Sequence, residues 1–233
     1  MPIFSDFIAR LAVLLQDGGG KLAAADREDL VRHVLAQRYS KDRPREIVSD
    51  SNGNGTSDLA LPSSGAENFE EGFSILRQIE YPVGDVPPTL LEQDAWQLYR
   101  KPTGLVVRLN DAQPAAAETI RFTWTLRHKS DGSTVFLSDF EAVCDYAGAL
   151  AFDALAARYV QLGDSTIGAD AVNYRTKSQE YASLASKLRK RYFEHMGIAE
   201  GSQGASAAGP AIAMGDLEQT MGSGVERMTH RKR

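Results

Sequence analysis

The stretch "ETIRFTWTLRHK", residues 118–129, decides how this chain is expected to fold. Over residues 119–127 every second residue is apolar and the residues between are threonine or arginine; the apolar set is Ile120, Phe122, Trp124 and Leu126. A period of two is typical of a β-strand that buries one face in a core and leaves the other face polar. The sequence therefore predicts a strand here, and a sheet built around it.

The chain on the N-terminal side of this strand carries the same kind of signal. From about residue 45 to residue 136 it consists of short runs, mostly rich in branched or aromatic residues, and each is bounded by Gly, Pro, Asn or Asp. We expect these runs to be strands, with a hairpin through Pro102 and Gly104 joining the last two. The runs are "REIVSD" (45–50), "DLALP" (58–62), "GFSILRQIEYP" (72–82), "WQLYR" (96–100) and "GLVVRLN" (104–110).

Helical periodicity dominates both flanks of this region. Residues 3–16 and 26–39 place apolar side chains three and four positions apart, which predicts two N-terminal helices. The pattern returns at "SDFE" (138–141), which has the spacing of a capping box at a helix start. The Ala-rich stripe that follows, and the apolar face of residues 170–198, predict two closely packed helices.

These predictions describe an α+β protein with a helical body, namely two N-terminal helices plus a long C-terminal helical hairpin, a β-rich insertion and an extended C-terminal tail. We place the N-terminal helices at 1–43, the β-rich module at 44–137, the hairpin at 138–198 and the tail at 199–233. The tail is rich in Gly, Ala and Ser, which is typical of a chain that stays flexible unless a partner orders it. Its candidate partner-binding residues are Ile212, Met214, Leu217, Met221, Val225 and Met228.

The overall composition is that of an ordinary globular protein. Hydrophobic residues make up 42% and charged residues 24% of the chain, and no apolar run approaches the roughly 18 residues that a membrane helix needs. A formal net charge of −5 argues against nucleic-acid binding by the whole surface. The basic run "KLRKRY" (187–192) is interpreted as a solvated helix end. The lone Cys144 cannot form an internal disulfide and is expected to be a core thiol.

The sequence contains no convincing catalytic motif and no zinc-binding histidine or cysteine set. "DGGGKL" (17–22) lacks the spacing of a phosphate-binding loop, and there is no G-x-S-x-G elbow and no H-E-x-x-H pair. The four histidines lie on separate predicted elements: His33, His128, His195 and His230. We therefore expect no catalytic residues, no cofactor and no enzymatic activity.

One loop has the spacing of a calcium-binding loop. In residues 50–58, "DSNGNGTSD", oxygen-bearing side chains stand at positions one, three, five and nine, with Gly55 at position six. Position twelve, where the helix-flanked motif has a bidentate Glu, is Leu61. Because strands are predicted on both sides and Asn-Gly pairs suit positive φ, we interpret the loop as the turn of a β-hairpin. The alternative is a calcium site with the ligands Asp50, Asn52, Asn54 and Asp58.

Several of these stretches together resemble the head–tail connector (adaptor or neck) proteins of tailed bacteriophages. The likeness covers about residues 20–198. It consists of the order of the predicted secondary-structure elements and of short stretches of sequence, and it includes no catalytic signature. The stretches that carry it are "LAQRYSKDRPRE" (35–46), "GNGTSDLALP" (53–62), "GFSILRQIEYPVGDVPPTLLEQDAWQLYRKPTGLVVRL" (72–109) and "GADAVNYRTKSQEYASLASKLRKRYFEHMGI" (168–198).

The resemblance implies a virion structural protein that forms a ring, commonly of twelve subunits, beneath the portal. Such a ring joins the capsid vertex to the tail, and DNA passes through its lumen. The implied partners are copies of the chain itself, the portal protein and tail or stopper proteins, with only non-specific contact to passing DNA and no membrane. The implied location is the neck of the virion, after synthesis in the host cytoplasm, and the tail would anchor on a neighbouring copy or on the portal.

Other functions remain open at this point. A calcium-dependent binding module would use the loop at 50–58, and a stopper or tail-terminator protein would share the structural class. A hydrolase acting on a cell-envelope polymer would need a carboxylate or histidine cluster that the sequence does not show.

Overall fold

The computed structural model describes residues 2–16, 20–65, 67–161 and 174–198. Within them the chain is an α+β protein, with helices at both ends of the described sequence and three antiparallel sheets between them, which confirms the predicted fold class. The chain divides into two compact units, Met1–Ala147 and Gly148–Arg233. The predicted tail, with Ile212 to Met228, lies outside the described residues.

The first helix, α1 (Phe4–Leu15), forms where its periodicity predicts it. Its buried side chains are spaced four residues apart and include Phe7, whose ring centroid lies 4.8 Å from that of Phe140. Gly132 also packs against Phe7, because a Cβ added there would lie 2.7 Å from the Phe7 ring. The apolar stripe of α1 therefore lies against the start of a later helix of the same unit; its buried members are Phe7, Leu11 and Leu15.

The second helix is predicted from 26 to 39 as regular α-helix, and the structure differs near its end. Helix α2 (Ala24–His33) continues into a π-helical segment, Val34–Tyr39, and a last α-helical turn, α3 (Ser40–Asp42). The Ser40 hydroxyl donates to the carbonyl of Leu35, five residues earlier. The wider π-helical turn lets Val34, Leu35 and Tyr39 all be completely buried. This burial compensates for the less favourable backbone hydrogen bonds of a π-helix compared with an α-helix.

In the described part of the chain eight strands follow, and six of them form two three-stranded antiparallel sheets. The first sheet has the order β1-β8-β5, the second has the order β2-β7-β6, and β3 and β4 form a small third pair. The strands are β1 (Arg45–Asn52), β2 (Asp58–Leu59), β3 (Ser63–Ser64), β4 (Glu67–Asn68), β5 (Leu76–Glu80), β6 (Trp96–Lys101), β7 (Gly104–Leu109) and β8 (Thr119–Leu126).

Strand β8, the stretch on which the fold prediction rests, is the central strand of the first sheet. It pairs with all eight residues of β1, from Arg45↔Leu126 to Asn52↔Thr119, and with β5 on its other edge. Its apolar residues are almost completely buried and join residues of β2, β5 and β7 in one core, which confirms the period-two prediction. The buried core residues are Leu59, Phe69, Leu76, Ile79, Val107, Leu109, Ile120, Phe122, Trp124 and Leu126.

The predicted hairpin at residues 50–58 is wrong, although the hairpin through Pro102 and Gly104 is confirmed by the pairing of β6 with β7. Strand β1 pairs with β8 and β2 pairs with β7, so the loop between β1 and β2 crosses from one sheet to the other. Gly53 is needed there for close approach, because a Cβ would lie 2.3 Å from the carbonyl oxygens of Pro114 and Ala115. The Asn-Gly pairs are a local signal, and they cannot specify which distant strand β1 will pair with.

A buried carboxylate, Asp139, links the N-terminal helices to the start of the next helix. Asp139 is fully buried, accepts a hydrogen bond of 2.8 Å from the Tyr39 hydroxyl and pairs with the Arg43 guanidinium at 2.7 Å. Burial and the neighbouring carboxylate raise the pKa of Tyr39, so its hydroxyl stays a donor. His128, which follows β8, adds to the joint: its amide donates to the Ser40 hydroxyl and its Nε2 lies 2.7 Å from the Arg43 carbonyl.

The predicted capping box at 138–141 is replaced by this arrangement. Residues Leu137–Asp139 form a 3₁₀ turn, and helix α4 (Phe140–Gln161) begins after it. The Ser138 hydroxyl donates to Asp139, and the Glu141 carboxylate accepts from Arg10 of α1 at 2.9 Å. Both side chains of the predicted capping box therefore have other partners: Ser138 contacts the carboxylate of the buried Asp139, and Glu141 contacts an arginine of another helix.

The second unit contains the remainder of α4 and helix α5 (Tyr174–Met196), and the predicted helical hairpin is confirmed there. The Tyr181 ring stacks on Phe152 and Tyr159 at centroid separations of 5.8 and 5.4 Å. Helix α5 ends at Gly197, whose φ of 68° suits glycine, as the sequence predicts. Among the described helices, none is both long and apolar enough to cross a membrane.

The contacts of Asp139 with Tyr39 and Arg43 predict how much two substitutions will each reduce stability. Asp139→Ala leaves the Tyr39 hydroxyl and Arg43 without their buried acceptor, and we expect it to lower the free energy of unfolding by about 3 kcal/mol. That value is the low end of the range for a broken buried ion pair, because 42% of the Arg43 side chain is exposed. Tyr39→Phe removes one hydrogen bond to a charged group and should cost about 1.5–2 kcal/mol. Urea denaturation measures both, and equal losses would contradict the central role of Asp139.

Candidate functional site

The four residues with calcium-loop spacing lie on both sides of the β1–β2 crossover. Asp50 is on β1 and accepts two hydrogen bonds from Arg121 of β8, at 2.7 and 3.0 Å. Asn52 is the last residue of β1 and is exposed. Asn54 accepts from the amide and hydroxyl of Thr56, and donates to the Asp58 carbonyl at 2.9 Å. The loop is therefore shaped by its own hydrogen bonds.

Asp58, the fourth of these residues, lies on β2 at the centre of a charged row on the outer face of the second sheet. It accepts two hydrogen bonds from Arg108 of β7, at 2.6 and 2.9 Å, and also pairs with Lys101 of β6. The Arg108 guanidinium lies 3.7 Å from the centre of the Tyr99 ring, a cation–π contact. We call Lys101, Asp58, Arg108 and Tyr99 the Asp58 row.

The first sheet carries a matching row on its outer face. Arg121 of the central strand pairs with Asp50 on one side and with Glu80 of β5, at 3.2 Å, on the other. One arginine thereby connects all three strands of the sheet. Cross-strand pairs of opposite charge stabilise sheets modestly, and here they also satisfy a largely buried Glu80.

These rows account for the charge state of both aspartates. Hydrogen bonds from Arg121 lower the pKa of Asp50, and hydrogen bonds from Arg108 and Lys101 lower the pKa of Asp58. Each carboxylate is ionised but already has a cationic partner. In the described ranges of the chain, no group of three or more His, Cys, Asp or Glu residues is arranged to hold a metal ion.

Strand β6 forms one edge of the second sheet, and strand β2 forms the other. Strand β6 pairs with β7 on one side, and no strand in the described residues pairs with its other side. Every residue of β6 is at least partly exposed, including Leu98 at 40% and Tyr99 at 39%. Unpaired strand edges can take up an additional strand. We call the unpaired side of Trp96–Lys101 the β6 edge.

The remaining residues that the sequence singles out have structural roles. Cys144 is buried, which raises the pKa of its thiol to about 12 and makes it unreactive at neutral pH. In the basic run of α5, Lys187 and Lys190 are exposed, Arg189 pairs with Asp153 of α4, and Tyr192 is buried. This run is therefore partly a hairpin contact and partly a solvated face.

Two open grooves in the β-rich region have mostly polar linings. One, of about 650 Å³, lies beside β1 and is lined by Val48, Ser49, Asp50, Ser63, Ser64, Gly65 and Arg121. The other, of about 500 Å³, is lined by Arg45, Glu67, Asn68, Glu70, Leu126, Arg127, His128 and Lys129. Small-molecule sites are usually concave and mostly apolar, and neither groove has that character.

Sequence reasoning did not identify Arg108, Arg121 or the β6 edge. A signal was present, because both arginines stand at strand positions opposite in phase to the buried residues, on the polar faces of β7 and β8. Their partners lie in other strands, and the sequence does not predict strand order. The residue pattern of an edge strand also resembles that of an inner strand, so the sequence does not show which strand lies at an edge.

Comparison with known proteins gives only distant matches. No protein-family model and no curated protein matches the chain. A chain in a structure of the virion of a native gene transfer agent particle is 12% identical, with 78% of this chain and 88% of that chain aligned and a TM-score of 0.28. A chain in the neck of an empty gene transfer agent particle gives the same identity and coverage, with a TM-score of 0.27. Scores this low do not establish a common fold.

The lowered aspartate pKa values predict a pH dependence of stability. A carboxyl whose pKa is lower in the folded state contributes stability above its unfolded value, about pH 4, and loses it as the pH falls further. Asp58→Asn should destabilise the protein at pH 7, and the difference from wild type should shrink between about pH 4 and pH 2. Urea denaturation at stepped pH measures this, with Asp111→Asn, which removes an exposed carboxyl without an ion pair, as the control. A constant difference would contradict the Asp58 row.

The same ion pairs predict the result of a calcium titration. Calcium would have to displace Arg121 from Asp50 and both cations from Asp58, so we expect no binding heat at micromolar calcium in calorimetry. A heat of binding that disappears in Asp50→Ala would instead support the calcium-dependent module.

Proposed function

We propose that this protein is a structural component of a tailed-phage virion, a head–tail connector or adaptor that binds other proteins and catalyses no reaction. It forms a homo-oligomeric ring, of twelve subunits in this proposal, beneath the portal protein. The ring joins the capsid vertex to tail or stopper proteins at the neck, and DNA passes through its lumen with only non-specific contact. This assignment rests on the sequence resemblance over residues 20–198.

The observation that supports a binding role is the contrast between the faces and the edge of the second sheet. Its outer face is occupied by the Asp58 row, whose charges are already paired. Its β6 edge has no partner strand in the described part of the chain, and Leu98 on it is 40% exposed. A protein that works by association needs surface of this kind, whereas a catalyst needs converging reactive groups.

Further exposed apolar side chains lie on other parts of the first unit. Val86 is 96% exposed in the loop between β5 and β6, and Phe136 and Leu137, just before α4, are 53% and 73% exposed. A ring contact is heterologous, so each subunit needs two different and complementary lateral surfaces. We propose that the β-rich module at 44–137 and the helical hairpin at 138–198 supply them.

The tail, residues 199–233, is the proposed anchor on a neighbouring copy or on the portal. Its apolar residues are spaced through a polar sequence, which suits a segment that becomes ordered on binding. A stopper or tail-terminator role would use the same surfaces with different neighbours, and it is the alternative within the structural class.

A reconstitution experiment tests this function. The full chain should bind heads that carry the portal but lack the connector, and mass measurement should show a closed ring. The double variant Leu217→Asp and Met221→Asp should bind at least about tenfold more weakly, because charged groups cannot enter an apolar anchor site. The matched control, Thr220→Asp, places one charge in the same segment and should bind like the wild type. A folded chain that stays monomeric and ignores portal-bearing heads would overturn the proposal.

A further inference from the structure

The loop between β5 and β6 is held at its base like a short hairpin. The amide of Leu91 donates to the carbonyl of Ile79 at 2.8 Å, and the amide of Tyr81 donates to the carbonyl of Thr89 at 3.0 Å. The Tyr81 hydroxyl also donates to the Glu118 carboxylate at 2.7 Å, which ties the loop to the chain just before β8. Backbone and side-chain hydrogen bonds therefore fix the base of this loop.

The tip of the same loop is exposed and apolar. We call residues 81–91 the Val86 finger, because Val86 at the tip is 96% exposed. Pro87 and Pro88, which follow it, are exposed as well. Proline rings restrict the backbone, so the tip loses little conformational entropy when it is bound. The finger can therefore present an apolar side chain to another protein at a low entropic cost.

The charge of the finger is negative. Residues 81–95 contain no Lys, Arg or His, and Asp85 stands directly before Val86. Asp85 is exposed and accepts a hydrogen bond from the Thr89 hydroxyl at 3.0 Å, but it makes no ion pair with another described residue. A surface that receives this tip should carry an apolar side chain beside a cation that has no ion-pair partner.

Helix α5 carries such a pair of side chains on its exposed face. Leu184 is 41% exposed, and Lys187, one helical turn further on, is exposed and makes no ion pair with a described residue. Residues three apart on a helix are neighbours, with Cβ atoms about 5–6 Å apart. Two adjacent residues of the finger, Asp85 and Val86, thus match two neighbouring side chains of the helix.

The charges on this face of α5 give the contact a direction. Glu180 precedes Leu184 by about one turn, while Lys187 and Arg191 follow it at spacings of three and seven residues. Asp85 therefore fits on the C-terminal side of Leu184, because the opposite placement would set two carboxylates side by side.

A second exposed apolar residue in the described ranges also lies near a cation without an ion pair, and it fits less well. Ile75, just before β5, is 57% exposed and stands two positions from the exposed Arg77. The Ile75 carbonyl accepts from the amide of Thr125, and the β1 residue opposite Thr125 is the exposed Glu46. This site thus offers one cation and a carboxylate two strands away, whereas the C-terminal side of Leu184 carries two cations.

We propose that the Val86 finger of one copy docks on α5 of a second copy, with Val86 packed on Leu184 and Asp85 paired with Lys187. The two surfaces differ, so the contact is head-to-tail and can be repeated around a ring. An exposed ion pair contributes little stability, so Asp85 and Lys187 mainly set the orientation while the apolar contact supplies the burial. This inference rests on the proposed ring and deepens it, because it names the residues through which the β-rich module meets the next subunit's hairpin.

Charge reversal with rescue tests the contact. Self-association of the full-length chain is measured by sedimentation velocity over a range of concentrations. Asp85→Lys should weaken it at least about tenfold, because it places like charges together at Lys187, and Val86→Asp should weaken it similarly. Adding Lys187→Glu to Asp85→Lys should restore association to within about threefold of the wild type, because the pair re-forms with its charges exchanged.

The matched control places the second reversal elsewhere. Asp85→Lys combined with Arg77→Glu has the same net charge as the rescue variant, and it should associate as weakly as Asp85→Lys alone. Rescue by Arg77→Glu instead of Lys187→Glu would assign the contact to Ile75 and overturn the proposal. Each substituted residue is exposed, and circular dichroism checks that every variant is folded.

The remaining outcomes separate this contact from the proposed function. A wild-type chain that stays monomeric at every concentration, reversals without effect, or failure of Lys187→Glu to rescue would each overturn the docking. If such a result accompanies wild-type rings on portal-bearing heads, the connector function stands and only the docking is lost. If the rescue succeeds but the chain ignores portal-bearing heads, the docking stands and the connector function is lost.

Discussion

The whole first unit depends on strand β8 being paired on both edges while it buries one face. Its alternating sequence supplies both requirements: Ile120, Phe122 and Trp124 enter the core, and Arg121 on the opposite face connects Asp50 of β1 with Glu80 of β5. The strand also leads directly into His128, which hydrogen-bonds to Ser40 and to the carbonyl of Arg43. The β-rich region and the N-terminal helices are thus joined through the end of one strand.

The distribution of charge explains why the surfaces of this unit are not equivalent. Both sheets carry an outer row in which arginines neutralise aspartates, so those faces have little unsatisfied polarity to offer a partner. The β6 edge is different, because its backbone groups and half-exposed Leu98 have no neighbour among the described residues. A protein whose proposed work is to join other proteins would use such an edge, and charged residues at its end limit indiscriminate strand pairing.

The candidate site was only partly predictable. The spacing of Asp50 and Asp58 suggested a shared calcium loop, but the structure gives each aspartate its own arginine in a different sheet. The spacing of the candidate ligands involves only residues 50–58. Arg108 lies 50 positions from Asp58 in the chain, and Arg121 lies 71 positions from Asp50. Without strand order, the sequence offers no means of choosing between a metal and an arginine as the partner of a carboxylate.

Local patterns in the sequence determined the type of nearly every element: the period of two gave the strands, the period of 3.6 gave the helices, and Gly197 marked the end of α5. They also determined the α+β class and the buried state of Cys144. Tertiary structure alone decided that β1 joins β8 instead of β2, that α2 widens into a π-helical segment, and that Glu141 pairs with Arg10 instead of closing a capping box. The physical reason is the separation along the chain of the residues that interact. Periodicity depends on residues two to four positions apart, while strand pairing, burial and ion pairs depend on residues brought together from distant parts of the chain.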